Sequence, residues 1–208
     1  MGMQMTTRAV VSLALMAGLM AGLGVTGCQS AKEAFAVGEA AEANPGPCPR
    51  AFAIYDASRI VEFVGPDGGE GRERFENVGF TGEIDKVRSL CRYYGEQPIV
   101  ADMELDMSFG RGPSAQGSTA TYEVFVAVTR KNIDVINKTV FPVTVTFPPG
   151  QDRVRVTERV DRISIPRANE TTSGENFEII TGFVVTEAQR TFNSEGKRFR
   201  VSAGTGAQ

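Results

Sequence analysis

The chain contains no histidine and no tryptophan. Without histidine there is no Ser-His-Asp or Cys-His nucleophilic site and no imidazole ligand for zinc. The usual acid–base group near neutral pH is missing too. Without tryptophan there is no buried indole of the kind that marks antibody-type cores. Cysteine is scarce, at three residues in 208. Charge is close to balanced, with 22 basic and 25 acidic residues and a net of −3. No basic stripe or block of like charge points to nucleic acid, and the slight acidity serves solubility. Paired carboxylates or a Ser-Lys pair remain for catalysis, and neither stands in a recognisable frame. We expect no catalytic residue, no metal and no cofactor.

The one long apolar run lies at the start. Arg8 supplies a short positive region, Ala9 to Thr26 is apolar and small, and Val25-Thr26-Gly27 leads into Cys28. Such a run ending in small residues reads as an export leader that is removed. Two other readings compete. One is a secreted protein cut near Gly24 or Gly27, with Cys28 incidental. The other is an uncleaved membrane helix, because the run barely reaches the roughly 20 residues needed to span. Gly18, Gly22 and Gly24 weaken that helix, as does the lack of a basic cluster after it, where only Lys32 stands.

The Val-Thr-Gly-Cys ending resembles the lipobox of bacterial lipoproteins. That resemblance implies that residues 1–27 are a signal peptide and that Cys28 becomes the first mature residue. It further implies that Cys28 is diacylated on sulfur and acylated on its new amine. Each buried CH₂ contributes about 0.8 kcal/mol, so two or three chains would hold the protein at a membrane permanently. Gln29 follows the cysteine, where an aspartate would resemble an inner-membrane retention signal. In a host with two membranes, the expected location is therefore the periplasmic face of the outer membrane. The mature chain is similar in general layout to bacterial envelope lipoproteins with a small β domain, a likeness that transfers no active site.

Beyond the leader about 180 residues remain, enough for one domain with a real core. Cys48 and Cys91 are then an isolated pair in an exported protein. A structural disulfide is the expected use, since their spacing is not that of a C-x-x-C redox motif. Residues 28–47 read as the lipidated cysteine and a tether rich in Ala, Glu, Gly and Pro, ending in the breaker Asn44-Pro45-Gly46-Pro47. As a flexible coil of about 19 residues it would reach roughly 24 Å. The domain is expected over residues 48–201, and residues 202–208 as a frayed tail.

From Cys48 onward the pattern has period two. Ile99, Ala101, Met103, Leu105, Met107 and Phe109 alternate with Val100, Asp102, Glu104, Asp106 and Ser108, as a half-buried strand requires. Thr121 to Thr129 is apolar in both phases and reads as a central strand. Pro142, within the alternation Phe141, Val143, Val145 and Phe147, places that strand at an edge or a bulge. The apolar phase switches between Ile84 and Val87, and again between Val156 and Ile163, with a bulge or break expected near Asp161. Ala51 to Phe63 reads as a strand interrupted near Asp56-Ala57-Ser58. Phe177 to Val185 is the last long strand. The one helical signature is Thr186-x-x-Gln189, a capping box. Seven short strands and almost no helix predict an all-β antiparallel sandwich, immunoglobulin-like first and a small barrel second.

Each candidate site has a plainer explanation. Asp102, Glu104 and Asp106 form a carboxylate row. Same-face neighbours sit nearly 7 Å apart, which is wide for one small cation, so a solvated strand face is the expected reading. Asp67-Gly68-Gly69-Glu70-Gly71 is too poor in ligands for a calcium loop. Gly110-Arg111-Gly112-Pro113 could present Arg111 to an anion, but turn geometry explains its glycines. Arg153, Arg155, Arg159 and Arg162 form a basic cluster, expected as a salt-bridged or solvated face, with an anionic polymer as the sharper alternative. Asn137-Lys138-Thr139 and Asn169-Glu170-Thr171 match glycosylation sequons that a bacterial lipoprotein would not normally use. The expectation is a non-enzymatic, membrane-anchored interaction or scaffolding module with an envelope protein or glycan as partner. A loop-based ligand-binding protein is the alternative, and a carboxylate-dependent cell-wall hydrolase comes third.

Overall fold

The computed structural model describes Asn44 and residues 46–65, 73–131 and 133–199. Cys28, the leader, most of the tether, the Asp67 to Gly71 loop and the tail 202–208 lie outside the described residues. The first strand, β1 (Arg50–Ala53), ends where a single 3-10 turn over Tyr55–Ala57 breaks the extended chain. The Ala57 N–H donates to Ile54 O at 3.0 Å, and Ser58 N–H to Tyr55 O at 3.3 Å. The chain then resumes as β2 (Arg59–Phe63) in the other sheet. The expected interruption at Asp56-Ala57-Ser58 is thus the point where the backbone changes layer.

Five long strands follow: β3 (Val78–Arg92), β4 (Ile99–Arg111), β5 (Thr119–Arg130), β6 (Asp134–Thr146) and β7 (Arg153–Ile165). After β8 (Phe177–Phe183) comes one helix, α1 (Glu187–Ser194). The sheets run β1-β8-β5-β6 and β2-β3-β4-β7. All pairings are antiparallel except β1 with β8, which is parallel. This is the expected all-β sandwich, and among the described residues no barrel closes. Within it β2, β3 and β4 run as a meander, and β1 joins the sheet that contains the last strand. Eight strands form among the described residues, five of them 12 to 15 residues long, so the elements are longer than the sequence pattern implied.

The core lies between the sheets. Met103, Leu105, Met107 and Phe109 of β4 meet Tyr122, Val124 and Val126 of β5 and Ile179 and Phe183 of β8. Each fully buried Leu, Ile, Met or Phe contributes about 1.5–3 kcal/mol relative to exposure. β5 lies between β8 and β6, and its run from Val124 to Val128 is buried in both phases, as expected for a central strand. Pro142 sits on the edge strand β6.

Both phase switches are bulges. The β3–β4 register slips between Ile84 and Lys86, leaving Asp85 as the extra residue. On β7, Asp161 and Arg162 oppose the single residue Asp102. Arg162 adopts φ 61°, and its backbone N–H donates to the Asp102 carboxylate at 2.8 Å. One extra residue moves every later side chain to the opposite face, which is how Val156 and Ile163 both reach the core side.

The capping box forms as read. Thr186 Oγ1 accepts from Gln189 N–H at 3.3 Å, while Gln189 Oε1 accepts from Thr186 N–H at 2.9 Å. Helix α1 packs Phe192 onto Val61 and Val78. Its polar side chains reach the backbone of β2: Gln189 Nε2 donates to Val61 O at 3.1 Å and Asn193 Nδ2 to Arg59 O at 2.8 Å.

Glu62, half-buried on β2, has its carboxyl pushed up from 4.5 by burial. An acid raised by folding binds its proton more tightly in the native state. Stability therefore falls as pH climbs from the ordinary carboxylate range through the raised value. Glu62→Gln is expected to raise the melting temperature at pH 7. Around pH 3, where both states are protonated, it should change little. Thermal melts at the two pH values check the sign.

Candidate functional site

Four places were singled out by sequence or by exposure, and the structure gives each a different character. The cysteine pair is a disulfide with its Cα atoms 5.7 Å apart. Around it the chain is tied down before β1 begins. Asn44 Nδ2 donates to Cys91 O at 3.1 Å, and its Oδ1 accepts from Tyr93 N–H at 2.8 Å. The buried Tyr93 hydroxyl donates to Pro47 O at 2.9 Å and accepts from Gly174 N–H at 3.1 Å. Arg167 stacks over the Tyr93 ring at 4.8 Å. The end of the expected tether is therefore part of the folded domain, and the bridge is structural.

The carboxylate row is a cross-strand charge ladder. Arg88 of β3 and Arg159 of β7 sit directly opposite Glu104 of β4 on its two sides. Arg88 pairs with Glu104 at 3.0 Å and also with Asp106, while Arg159 reaches Glu104 at 2.5 Å. Thr157 donates to Asp106 at 2.8 Å. Hydrogen bonds from Arg88 are the main cause holding both the Glu104 and Asp106 carboxyls below their usual values. Stability from these pairs is present at neutral pH and fades as acid protonates the carboxylates. Opposed charges on neighbouring strands favour this register. The row faces arginines rather than an open surface for a cation. Among the described residues no group of three or more histidine, cysteine or carboxylate side chains is placed to hold a metal ion.

Arg111 braces its own turn, with Nε donating to Gly117 O at 2.8 Å. A Cβ on Gly112 would lie 2.2 Å from Val78 O, so close backbone approach accounts for that glycine. The four arginines of β7 divide. Arg159 and the backbone of Arg162 serve the acidic row, whereas Arg153 and Arg155 line a cavity nearer the start of the strand.

That cavity, of about 200 Å³, lies between strands β2, β3, β4 and β7 and the segment Lys197–Phe199 that follows α1. Arg59, Arg153, Arg155, Lys197 and Arg198 line it, against two carboxylates, Glu83 and Asp85. Asp85, the bulged residue of β3, accepts the Ser108 hydroxyl at 2.5 Å. Lys197 is held by Glu73 at 2.5 Å and Glu195 at 2.7 Å. Arg59 stacks over the Tyr55 ring at 4.8 Å. Hydrogen bonds from Arg59 and then Arg198 hold the Tyr55 hydroxyl below its ordinary pKa. The sequence reading reached only Arg153 and Arg155. Arg59, Asn193 and Arg198 come from distant segments, and no local spacing connects them.

The fourth place is the rim of the sandwich. The border strands are β1, β2, β6 and β7, and three are guarded. β1 is only four residues long. β2 has backbone carbonyls capped by Gln189 and Asn193 of α1. β7 carries charge at Arg153, Arg155, Glu158, Arg159 and Asp161. All of these are standard ways of blunting a sheet edge. β6 carries a register shift at Ile136 and a proline at 142, yet from Asp134 to Val140 every residue is exposed, with Val135, Ile136 and Val140 among them. Pro142 has no N–H, so at its pair with Glu123 the strand turns its polar groups away from β5. By the same alternation Val140 and Lys138 direct N–H and C=O outward. The missing donor at Pro142 confines any added strand to the Asp134–Phe141 half. Protein-family models, curated proteins and solved structures all return no match to the chain.

Proposed function

We propose that the protein is a non-enzymatic envelope lipoprotein, held at a membrane by acyl chains on Cys28, whose domain docks another envelope protein along β6. The observation that carries this reading is the exposed Asp134–Val140 half of β6, which among the described border strands is the one with several exposed aliphatic side chains. An extended segment of a partner adding there would gain main-chain hydrogen bonds, and Val140 and Ile136 would supply apolar contact. Under this reading Cys28 is lipidated and the domain faces the periplasm, most naturally from the outer membrane.

A photo-crosslinking residue at Val140 tests the docking surface in living cells, with Glu170 as a surface control. The expected result is a discrete heavier adduct from position 140 and none from 170. Equal yields at both, or no adduct at 140, would overturn the docking surface. Mass spectrometry of the native polypeptide tests the anchor separately. A mature chain beginning at an acylated Cys28 is expected, and an unmodified thiol there would reject it.

A further inference from the structure

We propose that the cavity bounded by Lys197–Phe199 binds a small oxyanion, a carboxylate or phosphate group, with Arg59 as its principal ligand. This inference is independent of the anchor and of β6, since it concerns a different face of the domain.

Arg59 is 7% exposed, yet its Nε and Nη2 have no hydrogen-bond partner. A guanidinium stays charged and presents five N–H donors in a rigid fork suited to a carboxylate or phosphate. Buried guanidinium N–H groups without an acceptor are disfavoured, so such groups are satisfied by a partner or mark a binding site. The Tyr55 ring meets the face of the guanidinium, and Arg59 is among the residues that line the cavity.

The surroundings favour an anion. Arg155 and Arg198 line the same space, and cations outnumber carboxylates among the lining residues. About 200 Å³ accommodates a phosphate or a short carboxylate rather than a polymer. Thr81 lines the wall as well, and its hydroxyl suits one of the remaining oxygen atoms.

The test uses the full-length mature chain, titrated with sodium phosphate, acetate or succinate against sodium chloride at matched ionic strength. Calorimetry and thermal shift are the readouts. The expected result is saturable binding of at least one oxyanion, with a melting temperature that rises with its concentration. Phosphate alone saturating identifies a phosphate site, and acetate or succinate alone a carboxylate site. Arg59→Met keeps the aliphatic stem and should weaken binding by about tenfold or more. Arg155→Gln, at an exposed position, should weaken it by a smaller factor and carries the test if Arg59→Met fails to fold. No saturable response to any of the three anions would overturn the proposal. So would binding that neither substitution weakens.

Discussion

Phe183→Ala is expected to destabilise the domain by about 3–5 kcal/mol, the usual range for emptying a large aromatic site in a core. Phe183 is fully buried at the end of β8. Its ring stands edge-on to Phe109 at 6.2 Å and tilted to Tyr122 at 6.0 Å. It therefore joins β8 to β4 in the opposite sheet. A Cβ on Gly82 would come within 3.0 Å of the Phe183 ring, so the side chain rests on the bare backbone of β3. Neighbours fixed in two separate sheets cannot both move inward, and the space left by alanine stays open. Urea denaturation gives the free-energy difference, and an unchanged slope would confirm that only the native state is affected. Phe183→Leu, which keeps most of the volume, should cost less.

Replacing both cysteines, as Cys48→Ser with Cys91→Ser, is expected to cost about 4 kcal/mol in the chain-entropy model. The bridge closes a sequence separation of 43 residues. For a domain of this size that corresponds to a fall in melting temperature of roughly 8–16 °C. Reduction of the wild-type protein should reproduce the shift, as scanning calorimetry with and without reductant would show. Tyr93 gives the loss a local signature. Its hydroxyl bridges Pro47 O and Gly174 N–H, so amide exchange at Gly174 should accelerate once the segment before β1 is released.

The features legible in the sequence were those set by local pattern. β4 announced itself by strict alternation from Ile99 to Phe109. The bulges at Asp85 and at Asp161-Arg162 showed as a change of apolar phase, because one inserted residue reverses the faces. The strand break at Asp56-Ala57-Ser58, the edge or bulge position of Pro142 and the Thr186–Gln189 cap were likewise local, whereas the change of layer at that break was not. The strand order was not legible, since it depends on pairings between segments far apart, such as β1 with β8. The positive cavity was hidden for the same reason. Arg59 opens a strand and looks like any solvent-facing arginine until α1 and the segment behind it cover β2. In the sequence the acidic row has the pattern of a solvated face, and its partners Arg88 and Arg159 are set by the strand register.

The position of the covalent bridge has a mechanical consequence. Cys48 precedes β1, and Cys91 lies near the far end of the long strand β3. Tension applied to the polypeptide upstream of Cys48 passes through sulfur into β3, which is zipped to β4 along most of its length. The short β1 is bypassed and bears no load. In a reducing environment the same pull would fall on four residues of β1 and peel them from β8.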